Sequence, residues 1–133
     1  MKILFVCEYN ACRSQMAEGL ARALLPGHFS VHSAGLHPGE VNRLTREVMQ
    51  EIGVDLSSHR SKRLPEVAHL EFDLVIVLAE PAFAQASALK TTESRLWAFP
   101  DPVADPGEPE EIKKKIRAVR DALKERILKL NPL

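Results

Sequence analysis

The chain has 133 residues, 45% hydrophobic and 27% charged, which suits a single compact domain over residues 1–133 with a core of its own. Its 18 Lys and Arg balance 18 Asp and Glu, so no overall field selects nucleic acid or an anionic membrane, and neither partner is expected. No apolar run approaches the roughly 20 residues of a membrane span, and the first is too short for a signal peptide, which predicts a cytoplasmic protein. In chain order, residues 2–6 (KILFV) read as a short buried strand, and the spacing after Ser14 predicts a helix to Leu25, stopped by Pro26 and Gly27. Residues 29–35 (FSVHSAG) give a second strand, and residues 40–53 a second helix with Gly53 as its C-terminal cap. A polar turn over 55–67 leads to 72–79 (FDLVIVLA), the unbroken apolar run of a central parallel strand. A short helix over 81–89, a fourth strand at 95–99 (RLWAF), a Pro-rich loop over 100–111 and a closing amphipathic helix over 111–130 complete the chain. Strands alternating with helices predict an α/β fold, a parallel sheet with helices on both faces.

The stretch between the first strand and the first helix, CEYNACRS, carries the chemistry. Open parallel sheets bind ligands beyond the carboxyl ends of their strands, where Cys7 falls. A loop from Glu8 through Tyr9, Asn10, Ala11 and Cys12 to Arg13, feeding a helix N-terminus at Ser14, aims backbone N–H groups at one point, and the helix dipole adds positive charge. A tetrahedral oxyanion fits such a nest, with Arg13 as a planar fork for two oxygens. A thiol at the mouth of that field is held as thiolate near neutral pH, which makes Cys7 a nucleophile. Ser14 suits a hydrogen bond to that sulfur or an ordinary helix cap. Asn10 is the loop residue that best tolerates a left-handed backbone, or a plain turn residue. Two cysteines make neither a disulfide framework nor a four-ligand zinc site, so a reactive thiol is expected, with no metal and no cofactor.

Asp101 follows the fourth predicted strand, at the same sheet edge as Cys7. It suits a general acid that protonates a leaving oxygen and, as a base, activates water. Asp105, also before a proline, is the alternative, since Asp-Pro is a common turn former. His28 and His32, four apart in a strand, lack the helical spacing of a metal pair. His59, Arg60, Lys62 and Arg63 form a basic turn, read as solvated surface or as steering for an anion. Trp97 and Phe99 read as core.

With VCEYNACRSQMAEG, the HSAG at 32–35 and the Asp-Pro at 101–102, the chain resembles the low-molecular-weight protein tyrosine phosphatase superfamily, which includes thiol-linked arsenate reductases. That resemblance implies a four-stranded parallel sheet flanked by helices, Cys7 as nucleophile, residues 8–13 as phosphate loop and Asp101 as general acid. Gln15 with MAEG, the SAGLHPGEVN segment and GVDLSSHRSKRL look like the reductase branch, whereas the phosphatases usually carry proline after the Arg-Ser pair. Val103 and Ala104 stand where the phosphatases place aromatics, and Tyr9 stands where a glycine is common and puts a ring at the rim. Thioredoxin-linked reductases carry two further cysteines where this chain has Ala79 and Ala86. The leading expectation is an arsenate reductase working with an external thiol or redoxin, with Cys12 as a resolving partner or a small packing residue. The alternatives are hydrolysis of phosphotyrosine or another phosphomonoester, and an idle oxyanion-binding protein.

Overall fold

The computed structural model describes residues 1–37 and 39–130; Pro38, within the SAGLHPGEVN segment, and residues 131–133 lie outside them. The elements run β1 (Lys2–Cys7), α1 (Arg13–Leu24), β2 (Ser30–Gly35), α2 (Arg43–Gln50), β3 (Phe72–Val77), α3 (Phe83–Ala86), β4 (Thr91–Leu96) and α4 (Pro109–Leu128), with single 3₁₀ turns at Leu64–Glu66 and Glu80–Ala82. The four strands are parallel in the order β2-β1-β3-β4. The chain leaves β1 for one neighbour and later returns to its other side, so the loop after Cys7 sits at a topological switch point, where a crevice opens.

Alternation along the strands divides the interior in two. Ile3, Phe5, Val31, Leu74 and Ile76 face a large core closed by Met16 and Leu20 of α1, Val48 and Met49 of α2, and Ile116, Leu123 and Ile127 of α4. Leu4, Val6, Val75 and Val77 face the opposite side, under a thinner cover that includes Leu64 and Val67 around the first 3₁₀ turn, Ala82 and Ala86 near α3, and Leu36, Leu70 and Leu89. Both faces are covered, as expected of a parallel sheet, but very unequally.

Of the predicted boundaries that move, three have a clear physical reason. The fourth strand is Thr91–Leu96 rather than 95–99: β4 pairs only with β3, at the sheet edge, and its polar sequence follows from that exposure. The ladder nevertheless continues into the predicted run, since Trp97 N–H donates to Val77 O at 2.8 Å and Phe99 N–H to Leu78 O at 3.0 Å. α2 starts at Arg43 because the Asn42 side chain accepts from Thr45 N–H at 2.9 Å and caps it. Gly53, at φ +76°, turns the chain out after it as expected. α1 starts at Arg13, with Cys12 as the cap residue, so Ser14 lies inside the helix and is not its cap.

The end of α2 is pinned to α4 through Glu51. Arg117 Nε and Nη2 donate to its two oxygens at 2.9 and 2.7 Å, and Arg120 Nη1 donates at 3.0 Å to Oε1 and at 3.0 Å to Val48 O. The Arg117 hydrogen bond, then Arg120, lowers the Glu51 carboxyl from 4.5 to about 2. A folded-state value below the unfolded one favours the fold above pH 4.5 and loses that contribution as pH falls toward 2. The urea midpoint of the wild type should therefore decline between pH 4.5 and 2 more steeply than that of Glu51→Gln.

Candidate active site

β1 delivers Cys7 to the end of the central strand pair, 2% exposed, and α1 begins six residues later at Arg13. The loop between them is held from outside by its carbonyls. Leu36 and His37 N–H donate to Glu8 O at 2.7 and 2.9 Å, and Asn42 N–H to Ala11 O at 2.9 Å. The Ser61 hydroxyl donates to Tyr9 O at 2.8 Å, and the Gln15 amide to Asn10 O at 3.3 Å. With four successive carbonyls turned outward, the amides lie on the concave side. Among the described residues none of the N–H groups of residues 9–12 has an acceptor. Cys12 also brings no side-chain acceptor to the first turn of α1. A peptide curl of this kind is an anion nest at a helix N-terminus.

Asn10 holds the curl in shape. It is fully buried and is the one non-glycine among the described residues with positive φ, 53°. Its Oδ1 accepts from Lys62 N–H at 2.8 Å and from Gln15 Nε2 at 2.9 Å; its Nδ2 donates to Ser14 Oγ at 2.7 Å and to Ser33 Oγ at 2.9 Å. Ser14 Oγ, which accepts from Asn10 Nδ2, lies 2.8 Å from Cys7 Sγ, within hydrogen-bond reach of the sulfur. A second support is Gly35 at the end of β2. A Cβ there would lie 2.7 Å from Asn10 N and 2.8 Å from Tyr9 C, inside backbone that cannot yield.

The Arg13 guanidinium is buried, its Nη1 donating to Phe99 O at 2.9 Å and its Nη2 lying 3.5 Å from Glu8 Oε1 and 3.8 Å from Asp101 Oδ2. Asp101 is oriented by Val103 N–H, which donates to Oδ1 at 3.0 Å. Cys7, Tyr9, Ala11, Cys12 and Arg13 line a small cavity with Asp101 and Val103, whereas Asp105 is exposed and away from it. Tyr9 is 45% exposed at the mouth, its ring 5.5 Å from that of His37. Cys12 packs beneath the loop, its sulfur accepting the Thr45 hydroxyl at 3.0 Å; burial pushes its thiol up to about 12. In this conformation Cys12 is a protonated, poorly nucleophilic thiol.

The basic turn splits. Arg60 and Arg63 face solvent, with Arg60 bonded to Glu66 at 2.8 Å, while Lys62 and His59 turn inward toward Glu18. Trp97 and Phe99 pack against the large core, with the Arg126 guanidinium 5.5 and 5.3 Å from their ring centres. Gln15, Ser33, Gly35, Asn42 and Ser61 shape the site yet carried no chemical signal alone; each stood out only within a segment that carries the family resemblance.

Sheet, curl and helix together define a class, a parallel α/β protein with an amide-lined cradle after its first strand. The model of the low molecular weight phosphotyrosine protein phosphatases matches residues 2–131. An arsenate reductase of Halalkalibacterium halodurans is 36% identical over 126 residues, 94% of this chain and 91% of that protein. A solved arsenate reductase in its phosphate-binding state superposes with a TM-score of 0.78 at 31% identity, covering 97% of this chain and 95% of that one. A tyrosine phosphatase of Erwinia amylovora superposes with a TM-score of 0.76 at 26% identity, covering 96% and 89%. The chain belongs to the low molecular weight phosphotyrosine protein phosphatase family, a family of enzymes, and the relatives it matches include arsenate reductases and a tyrosine phosphatase.

Because a methyl at Gly35 collides with loop backbone, Gly35→Ala should displace the curl and cut turnover on the order of 10²-fold, the cost of a misplacement near 1 Å. Turnover measured beside the melting temperature checks this: a fall in activity with a largely retained fold is expected.

Proposed function

We propose that this protein reduces arsenate to arsenite, with Cys7 as nucleophile, the amides of residues 8–14 and Arg13 as the oxyanion cradle, and Asp101 as general acid. The observation that carries the reading is the convergence of Cys7, Arg13 and Asp101 on one cavity beneath a curl whose carbonyls all point away. Arsenate enters with its oxygens on the loop amides and the Arg13 fork, which trades Glu8 and Asp101 for the ligand. The Cys7 thiolate attacks arsenic, and Asp101 gives its proton to the departing oxygen, which leaves as water. A second thiolate then attacks the Cys7 sulfur; the sulfur–arsenic bond breaks, its electron pair stays on arsenic, and arsenite leaves while a disulfide forms.

Ala79 and Ala86 are buried side chains without thiols, and Cys12 is held protonated, so the second thiol comes from outside: a low-molecular-weight thiol or a redoxin. A cytoplasmic setting, rich in such thiols, suits this chemistry. Cys12 is assigned to packing, with the redox relay through Cys12 as the competing reading. Hydrolysis of a phosphomonoester, phosphotyrosine included, is the second function that the site favours, because the same three residues serve it and Tyr9 offers a ring at the mouth. A cradle with nucleophile, fork and acid all in place argues against an idle binding protein.

Purified protein should release arsenite from arsenate only when glutathione, mycothiol or a thioredoxin system is supplied, and hydrolysis of a small aryl phosphate is measured beside it. Hydrolysis without thiol-dependent arsenite release would move the assignment to the phosphatase reading. Cys7→Ser should abolish both activities, and Arg13→Lys should cripple them although the charge remains, because the two-pronged contact is lost. Asp101→Asn should lower turnover by about 10² to 10⁴-fold, with Asp105→Asn near wild type.

Cys12→Ala should retain arsenate turnover with the external thiol. Loss of arsenite release with phosphatase activity intact would make Cys12 part of a relay instead. Mass spectrometry of the peroxide-treated wild type supplies the second readout, since a packing cysteine gives no Cys7–Cys12 disulfide.

A further inference from the structure

Glu8 brings to the cradle a second carboxylate, one that the proposed chemistry does not use. Its backbone is fixed, because Leu36 and His37 N–H hold Glu8 O at 2.7 and 2.9 Å, and its side chain reaches forward until Oε1 lies 3.5 Å from Arg13 Nη2. Asp101 lies on the same nitrogen, with Oδ2 at 3.8 Å. The fork that would receive an oxyanion is thus flanked by two acceptors.

The two carboxylates are not equally supplied. An ionised carboxylate has room for about four donors. Val103 N–H donates to Asp101 Oδ1 at 3.0 Å. Among the described residues the Glu8 carboxylate receives only Arg13 Nη2, at the long distance of 3.5 Å. An oxyanion that takes the Arg13 fork takes away that hydrogen bond and leaves a carboxylate oxygen beside an anion oxygen. Two such acceptors repel unless a proton lies between them. Among the residues that line the cavity Arg13 is the one cation, set against Asp101 and the Cys7 sulfur, so no second positive side chain there offsets Glu8. An oxyanion with a hydroxyl of its own resolves the conflict by donating it. Arsenate and phosphate keep an O–H at neutral pH and below; sulfate is a tetrahedron of the same kind with none.

We propose that the Glu8 side chain is a specificity-determining residue of the cradle: it accepts a hydrogen bond from a protonated oxygen of the bound oxyanion, so that the site takes arsenate and phosphate and turns away sulfate. This rests on the reading of Arg13 and the amides of residues 8–14 as the oxyanion cradle over Cys7. The two carboxylates then divide the work, with Asp101 delivering a proton and Glu8 holding one that stays with the ligand. Selection of this kind works through the group that the wrong ligand leaves unpaired. A fully buried group of that sort rejects by about 10⁴-fold, whereas the Glu8 side chain is 29% exposed and water relieves part of the penalty.

The test is protection of Cys7 against iodoacetamide at pH 6 and constant ionic strength, read on the Cys7 peptide by mass spectrometry as the probe concentration that halves the alkylation rate. Inorganic phosphate and sulfate form one pair of probes. Methylphosphonate and methanesulfonate form a second, in which both are largely monoanions at that pH and only the phosphonate has a proton to give. In wild type the first member of each pair should protect at a concentration about tenfold or more below the second. Glu8→Gln should shrink each ratio by about fivefold or more, through stronger protection by sulfate and methanesulfonate. Glu8→Ala should do the same, which separates loss of the carboxylate from gain of an amide donor; if phosphate no longer protects Glu8→Ala, the loop has moved and the isosteric Glu8→Gln decides. Variants that bind methylphosphonate and methanesulfonate more tightly by one common factor would show Glu8 acting as bare charge, and unchanged ratios would show it idle. Either result would overturn this inference alone, as would a wild type protected equally by both members of each pair. A wild type that none of the oxyanions protects would overturn the cradle reading and this inference with it.

Discussion

Four hydrogen bonds on one amide, that of Asn10, hold the site in the form described. A buried asparagine has two donors and an oxygen with two lone pairs, and here all four positions are used. The partners come from α1, β2 and the segment before the first 3₁₀ turn, so the loop is gripped by three separate parts of the chain. That grip is what makes a left-handed backbone at a non-glycine residue tolerable, a conformation that otherwise costs of order 1–3 kcal/mol. With Asn10 set, the neighbouring carbonyls turn outward to the β2–α2 connection and Ser61, and the amides are left facing the cavity.

The cradle is electrostatically self-satisfied. Arg13 is oriented by a carbonyl, Phe99 O, and lies beside two carboxylates, Glu8 and Asp101. The carbonyl bond is the shorter and fixes the plane of the guanidinium; the carboxylates lie at 3.5 and 3.8 Å, near enough to balance the charge and far enough to give way to a ligand. On the proposed reading, an oxyanion would replace existing partners of a preset fork, and the reorganisation it would demand is small. Asp101 reaches this position because the β3–β4 ladder continues past Leu96 through Trp97 and Phe99, which carries the next residues over the end of the sheet.

The two sides of the sheet divide the labour. α1, α2 and α4 bury the larger core and anchor the first turn of α1, while the thinner cover on the other face leaves the loop's outer surface near the turn around Ser61 and Lys62. Gly35 lies at the junction, where the β2 backbone approaches the curl too closely for any side chain. Its isolated bridge to Arg63 continues the parallel pairing beyond the strand and draws the basic turn against the loop. Thus a turn that reads as surface becomes, through Lys62 and His59, part of the support beneath Cys7.

What the sequence by itself determined is local: a strand over residues 2–6 leading into Cys7, a helix opening near Ser14, the spacing that sets an arginine and a run of amides around one turn, and an asparagine suited to a left-handed backbone. Periodicity and turn chemistry reach that far because they act between residues a few positions apart. The tertiary structure alone decided the rest. Asp105 competes with Asp101 until the ladder carries Asp101 over the sheet end; Ser14 suits a cap until Cys12 takes that position; Cys12 could face solvent or core until the fold buries it beside Thr45. Glu18 reads as one more helical acid until Ser33, Lys62 and Arg22 close around it. Each depends on contacts between residues distant in the chain, which strand register and helix packing bring together and which no local pattern encodes.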